Sequence, residues 1–209
     1  MGGRVDPLRA HATVVAPRIL GSVIESGSGA ELVAVRITEV EAYGGIGEDP
    51  GSHAFRRQTP RNATMFLGAG HLYCYFTYGM HHCVNIVTGV AGTAGAVLLR
   101  AGEVIEGVEI ARRRRPAAAR DTDLARGPAR LAVVLAADRS VDGIDLRAPG
   151  VALRWRPRRC APGPIEVTTR TGVSGPGAAL PWRFAISGDP TVSRHRPVAP
   201  RNRSGGTTG

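Results

Sequence analysis

Glu31-Leu32-Val33-Ala34-Val35-Arg36-Ile37-Thr38-Glu39-Val40-Glu41-Ala42-Tyr43 is rich in valine and isoleucine and reads as one long strand. Alternation puts Val33, Val35, Ile37, Glu39, Glu41 and Tyr43 on one face, so two carboxylates and a phenol continue an apolar row. Acids are unusual in such a row. Upstream, Thr13 to Glu25 has the same composition and a Ser/Gly cluster follows it, which predicts a second strand and a hairpin.

Downstream, residues 44–70 are dense in Gly, Pro, Ser, Asn and Arg without periodicity, as in a functional surface loop. His71 to Tyr78 and His82 to Thr88 read as strands pivoting about Gly79, and Ala96 to Ala101 as another. Glu103 to Arg115 reads as a helix ending in four arginines, where cations suit the helix dipole. Pro128 opens a second helix through Ala137. Short strands follow near Val151 to Trp155, Ile165 to Thr169 and Trp182 to Ser187, and 194–209 reads as a basic flexible tail.

With 209 residues the chain supports one substantial core, so a single domain is expected. No apolar run is long enough to span a bilayer, and the first residues lack a secretory signal's apolar segment; the expected location is intracellular, cytoplasmic or nucleoid in a bacterium. Cys74, Cys83 and Cys160 are odd in number and contain no C-x-x-C pair, which argues against a disulfide framework. His71, Cys74, His81, His82 and Cys83 lack a short paired ligand motif, so no metal and no other cofactor is assigned. A formal charge of +10 favours a polyanionic partner. All 27 basic residues are arginine, and with no lysine in the sequence, Schiff-base catalysis by a lysine is excluded.

Several residues could do chemistry on a nucleic acid. Glu41 and Tyr43 point the same way, placing a general base beside a flat stacking surface. Tyr73 and Tyr75 share a face, with Tyr73 expected in the core, and Tyr78 stands at the turn, where an aromatic can enter a base stack. Taken alone, Glu41 would read as a strand-end carboxylate paired with an arginine.

Four motifs in order carry a resemblance: Arg36 to Tyr43; Arg57-Gln58-Thr59-Pro60-Arg61-Asn62; Leu72-Tyr73-Cys74-Tyr75-Phe76-Thr77-Tyr78-Gly79-Met80 through Asn85; and Val97-Leu98-Leu99-Arg100-Ala101. Gly127-Pro128-Ala129-Arg130-Leu131 and Trp182 to Gly188 extend it, so that residues 10–193 resemble the alkyladenine, or 3-methyladenine, DNA glycosylase family. The resemblance implies a single mixed α/β domain with a curved antiparallel sheet, flanking helices and a protruding hairpin. It also implies a monofunctional enzyme acting as a monomer on double-stranded DNA containing damaged purines. Glu41 then matches the carboxylate that deprotonates the attacking water, and Arg100 the arginine that positions it. Tyr43, His53 and Tyr75 match the pocket for the flipped base, Asn85 the residue that disfavours guanine, and Tyr78 the one that fills the gap in the duplex. Arg57 and Arg61 are candidate phosphate contacts. The competing reading is a non-catalytic nucleic-acid-binding module, against which a carboxylate among the aromatics counts, because it repels phosphate and is needed only to activate water.

Overall fold

The computed structural model describes residues 6–195; all but two residues of the basic tail at 194–209 lie outside them. The quoted stretch forms β2 (Val33–Tyr43), the central strand of the molecule. Before it come a helix, α1 (Ala12–Ile19), and a short strand, β1 (Val23–Ser26). After it come β3 (Leu72–Thr77), β4 (His81–Val87) and the long β5 (Ala96–Glu106). The chain continues through α2 (Val108–Arg114), β6 (Ala125–Arg126), α3 (Pro128–Val134), β7 (Leu153–Arg156), β8 (Ile165–Thr168) and β9 (Arg183–Ile186).

The strands form one open, antiparallel sheet in the order β3-β4-β5-β2-β1-β7, with β6 added to β5, and β9 joining β8 to β2. Three helices accompany this sheet among the described residues, so the expected mixed α/β fold is what the chain adopts. Leu131, Ala132, Val134 and Leu135 of α3 and its end bury against Val84, Ile86, Val97 and Leu99, while Val15, Ala16 and Ile19 of α1 close the same core. Each fully buried aliphatic side chain of this kind stabilises the fold by about 1.5–3 kcal/mol. A smaller cluster, Ala54, Met65, Phe66, Tyr73, Val87 and Ala96, forms a separate apolar patch.

Two expectations need correction. Thr13 to Glu25 is not a strand throughout, because Ala12, Val15, Ala16 and Ile19 recur at helical spacing and bury together. His11 accepts the Thr13 N–H through Nδ1 at 3.3 Å and opens that helix. The hairpin survives in shorter form, with β1 pairing β2 from Val23↔Arg36 to Ser26↔Val33. Likewise, Glu103 to Arg115 is only partly helical. Its first residues remain in β5, where Glu103 faces Arg36 across the ladder. Gly107, at φ +73°, then turns the chain where a Cβ would collide with the Leu32 carbonyl oxygen.

The most consequential correction concerns β2. The pairing of β2 with β5 shifts register between Ile37 and Glu39 and again between Glu39 and Val40. Residues facing the core are therefore Val33, Val35, Ile37, then Val40 and Ala42. A bulge of this kind turns side chains over locally. Glu39, Glu41 and Tyr43 do not continue the apolar row; they leave it and line up on the opposite face.

Candidate active site

That opposite face opens into a cavity of about 470 Å³. Tyr43, His53, Tyr73, Tyr75, Asn85 and Arg100 contribute to its lining. The ring centres of His53 and Tyr75 are 4.7 Å apart at 77°, and those of Tyr73 and Tyr75 are 5.3 Å apart at 33°. Tyr73 is buried as expected, yet its hydroxyl also reaches His53 Nδ1 at 3.0 Å, so it acts in the wall as well as the core. Burial lowers the His53 pKa and the Arg61 cation lowers it further, which leaves the ring neutral near pH 7. Asn85 is buried, and its side-chain amide donates to the Tyr73 carbonyl at 2.9 Å.

Behind the wall made by Tyr43, Arg100 and Thr171 lies Glu41, whose side chain is 0% exposed. Its Oε1 accepts the Thr171 backbone N–H at 2.6 Å, and Oε2 accepts the Tyr43 hydroxyl at 2.8 Å. Arg100 Nη1 stands 3.2 Å from the same Oε2. Burial and the neighbouring Glu41 charge raise the Tyr43 pKa well above its usual value, so the phenol remains a hydrogen-bond donor. Arg100 does not serve Glu41 alone, because its Nε donates to Glu39 Oε1 at the shorter distance of 2.8 Å. That oxygen also accepts Arg183 Nε at 2.8 Å and the Ser193 hydroxyl at 3.0 Å, while Glu39 Oε2 accepts the Ser193 N–H at 2.7 Å. Burial alone would raise the Glu39 pKa, but the Arg100 and Arg183 cations and the Ser193 hydrogen bond outweigh it and hold it below its usual value. Burial disfavours the Arg100 cation too, and the Glu41 and Glu39 charges reverse that effect and raise its pKa.

A second buried ion pair supports the first. Arg170 grips Asp49 through two hydrogen bonds of 2.6 Å, and also donates to the carbonyls of Ala42 and Gly177. Its guanidinium lies 4.6 Å from the Tyr43 ring centre and 5.3 Å from that of Trp182. Asp49 in turn accepts the N–H groups of Gly44 and Gly51 and so folds the loop after β2 around the guanidinium. Gly51 must be glycine for this approach, since a Cβ there would sit 2.7 Å from Arg170 Nη2.

At the mouth of the cavity the β3–β4 hairpin turns through Tyr78-Gly79-Met80, with Thr77 paired to His81. Tyr78 takes φ 51°, a conformation costly for a residue with a side chain, and is 84% exposed. Arg57 and Arg61 are exposed on the adjoining loop. Arg61 reaches the Phe76 carbonyl at 3.4 Å, while Arg57 offers only its carbonyl, to the Asn62 amide. Among the described residues, no group of three or more His, Cys, Asp or Glu is gathered as a metal would need.

The resemblance carried by these residues extends across the chain. Residues 6–190 match the model of the methylpurine-DNA glycosylase (MPG) family. The chain belongs to this family. The glycosylase is also 52% identical over 191 residues to a Streptomyces avermitilis protein provisionally named a 3-methyladenine DNA glycosylase, covering 90% of this chain and 89% of that one. A Leifsonia xyli protein of the same provisional name is 51% identical over 199 residues, covering 91% of each. A third, from Nocardia farcinica, is 46% identical over 203 residues, with 94% and 93% covered.

In the glycosylase, Glu41, Arg100, Tyr43, His53, Tyr75 and Asn85 are brought together from four strands and a loop, with Tyr78 beside them. Residues that sequence reasoning did not place are Glu39 as a partner of Arg100, Arg183, Ser193, Thr171, and the Asp49–Arg170 pair. Thr171 acts through its backbone, which no side-chain pattern marks. Glu39 was visible as an acid on the strand, and its sharing of Arg100 depends on the bulge.

Proposed function

We propose that this DNA glycosylase draws a damaged purine out of the duplex and hydrolyses its N-glycosidic bond with water activated by Glu41, leaving an abasic site. The observation that carries this reading is a fully buried carboxylate held behind the wall of an aromatic pocket by Tyr43, Arg100 and the Thr171 N–H. Glu41 Oε1 accepts one hydrogen bond from Thr171 and keeps a second lone pair for a water. As that water attacks C1′ of the sugar, the C1′–N bond breaks, the base leaves with the bonding electrons, and Glu41 takes the proton. An alkylated purine carries positive charge, which makes it a good leaving group and draws it to the faces of Tyr43 and Tyr75. Tyr78, exposed at the hairpin tip, would fill the gap in the stack. Arg57 and Arg61, on the same side, are available to phosphates.

Replacing Glu41 with Gln tests this directly. Release of 3-methyladenine from methylated duplex DNA should fall on the order of 10²- to 10⁴-fold, while binding to the damaged duplex persists. Near-normal turnover would remove Glu41 from the reaction, and a wild-type protein that binds DNA but releases no base would favour a binding module instead.

The reading also makes the enzyme monofunctional. A glycosylase that cuts the strand attacks the sugar with an amine, and the chain has no lysine to supply one. Borohydride added during turnover should trap no protein–DNA adduct, and the product strand should break only after alkali. A stoichiometric adduct formed at the rate of base loss would overturn the hydrolytic mechanism.

A further inference from the structure

We propose that Glu39 and Arg183 are positioning residues that set how much of the Arg100 charge reaches Glu41. This inference rests on the reading of Glu41 as the base. The bulge in β2 turns Glu39 and Glu41 to the same side of the sheet, where a single guanidinium bridges them. The bridge is uneven, at 2.8 Å from Arg100 Nε to Glu39 and 3.2 Å from Nη1 to Glu41. Glu39 therefore takes the hydrogen bond that anchors Arg100, and Glu41 meets the guanidinium as a longer ion pair. Arg183 competes with Arg100 for the same Glu39 oxygen and is itself held by the Thr168 hydroxyl at 2.9 Å and the Ser193 carbonyl at 3.3 Å.

The uneven sharing has a chemical purpose. A carboxylate gripped fully by a guanidinium is a poor proton acceptor, and one left alone in a buried site would stay protonated. One cation is divided between two carboxylates, with a second cation on the first acid, so the hold of the guanidinium on Glu41 depends on Glu39 and Arg183. Glu41 also faces Tyr43 on its own strand, the Thr171 N–H beyond β8, and Cys83 and Tyr75 of the hairpin across the cavity. Glu39 faces Arg100, Arg183 and Ser193. The Asp49–Arg170 pair lies behind Tyr43.

The test is the pH profile of single-turnover release of 3-methyladenine from methylated duplex DNA. In Glu39→Gln the anchor loses its charge, Arg100 turns to Glu41, and the acidic limb should move to lower pH by roughly half to one unit, with a lower plateau. In Arg183→Gln the undivided Glu39 draws Arg100 away from Glu41, and the limb should move to higher pH. Glu39→Asp keeps the charge and should return the limb towards its wild-type position even where the rate stays low. Limbs that do not move, or that move the same way in both neutralising variants, overturn the proposal, because a merely structural cluster would change the amount of folded protein without moving the profile in opposite directions. If Glu39→Gln does not fold, the direction of the Arg183→Gln shift decides alone. Loss of activity in Glu41→Gln together with unmoved limbs rejects only the positioning roles, whereas full activity in Glu41→Gln rejects the underlying reading.

Discussion

Two buried clusters of acid and arginine lie on either side of Tyr43, and they are built differently. Asp49 and Arg170 are matched one to one, with both oxygens bound by the two terminal nitrogens, which also donate to the carbonyls of Ala42 and Gly177, while Arg170 Nε is buried without a hydrogen-bond partner among the described residues. Glu39, Glu41, Arg100 and Arg183 form a chain in which each arginine reaches Glu39 and only Arg100 extends, more loosely, to Glu41. In the first cluster each Asp49 oxygen also accepts a backbone N–H, from Gly44 or Gly51, so the acid is fully engaged. The second ends in a carboxylate beside a cavity, with its cation shared. A carboxylate engaged on both oxygens by one arginine and two backbone N–H groups fits a structural role, and on the proposed reading the looser pairing beside the cavity is where the proton moves.

The contrast breaks if the two clusters respond alike to loss of an acid. Glu41→Gln should act on base release and barely on folding, whereas Asp49→Ala should act mainly on folding. Removing Asp49 leaves Arg170 charged and enclosed, at an expected cost of about 3–5 kcal/mol in urea-induced unfolding. A loss below about 1 kcal/mol would show that the pair is dispensable to the frame. Any activity lost with it should appear mainly in KM, since Tyr43 stacks on the guanidinium and forms a wall of the pocket.

The same distinction between committed and uncommitted groups sharpens at the cavity mouth. Tyr78 is 84% exposed, and its hydroxyl makes no hydrogen bond among the described residues, so Tyr78→Ala should leave stability nearly unchanged. It should slow excision from a fully paired duplex more than from a lesion in an unpaired context, because opening a stack costs a few kcal/mol. Equal losses on both substrates would deny the tip a wedge role. Asn85 presents the smallest effect. Its amide is pinned to the Tyr73 carbonyl, and on the proposed reading the fixed group disfavours the exocyclic amine of guanine. Asn85→Ser should therefore raise the release of 7-methylguanine relative to 3-methyladenine, by a factor corresponding to about 1 kcal/mol. An unchanged ratio would mean that guanine is excluded elsewhere.

Local chemistry alone determined much of this protein. The valine- and isoleucine-rich run of β2, the glycine pivot of the β3–β4 hairpin and the proline start of α3 all follow from residue-level preferences that the folded chain keeps. The ordered motifs around Glu41, Tyr78, Asn85 and Arg100 carried the family, which the match over residues 6–190 shows. Two segments misled for a physical reason. Thr13 to Ile19 has β-branched residues in a helix stabilised by core burial, and Glu103 to Glu106 extends β5 because pairing with β2 outweighs helical propensity. Which way Glu39 and Glu41 point could not be read from alternation, because parity along a strand holds only until a register shift, and that shift is set by the partner strand. Likewise, tertiary structure alone joined Arg170 to Asp49, brought the Thr171 N–H to Glu41 and divided Arg100 between two acids. Those contacts link residues 59 to 130 positions apart, and only the folded chain brings them together.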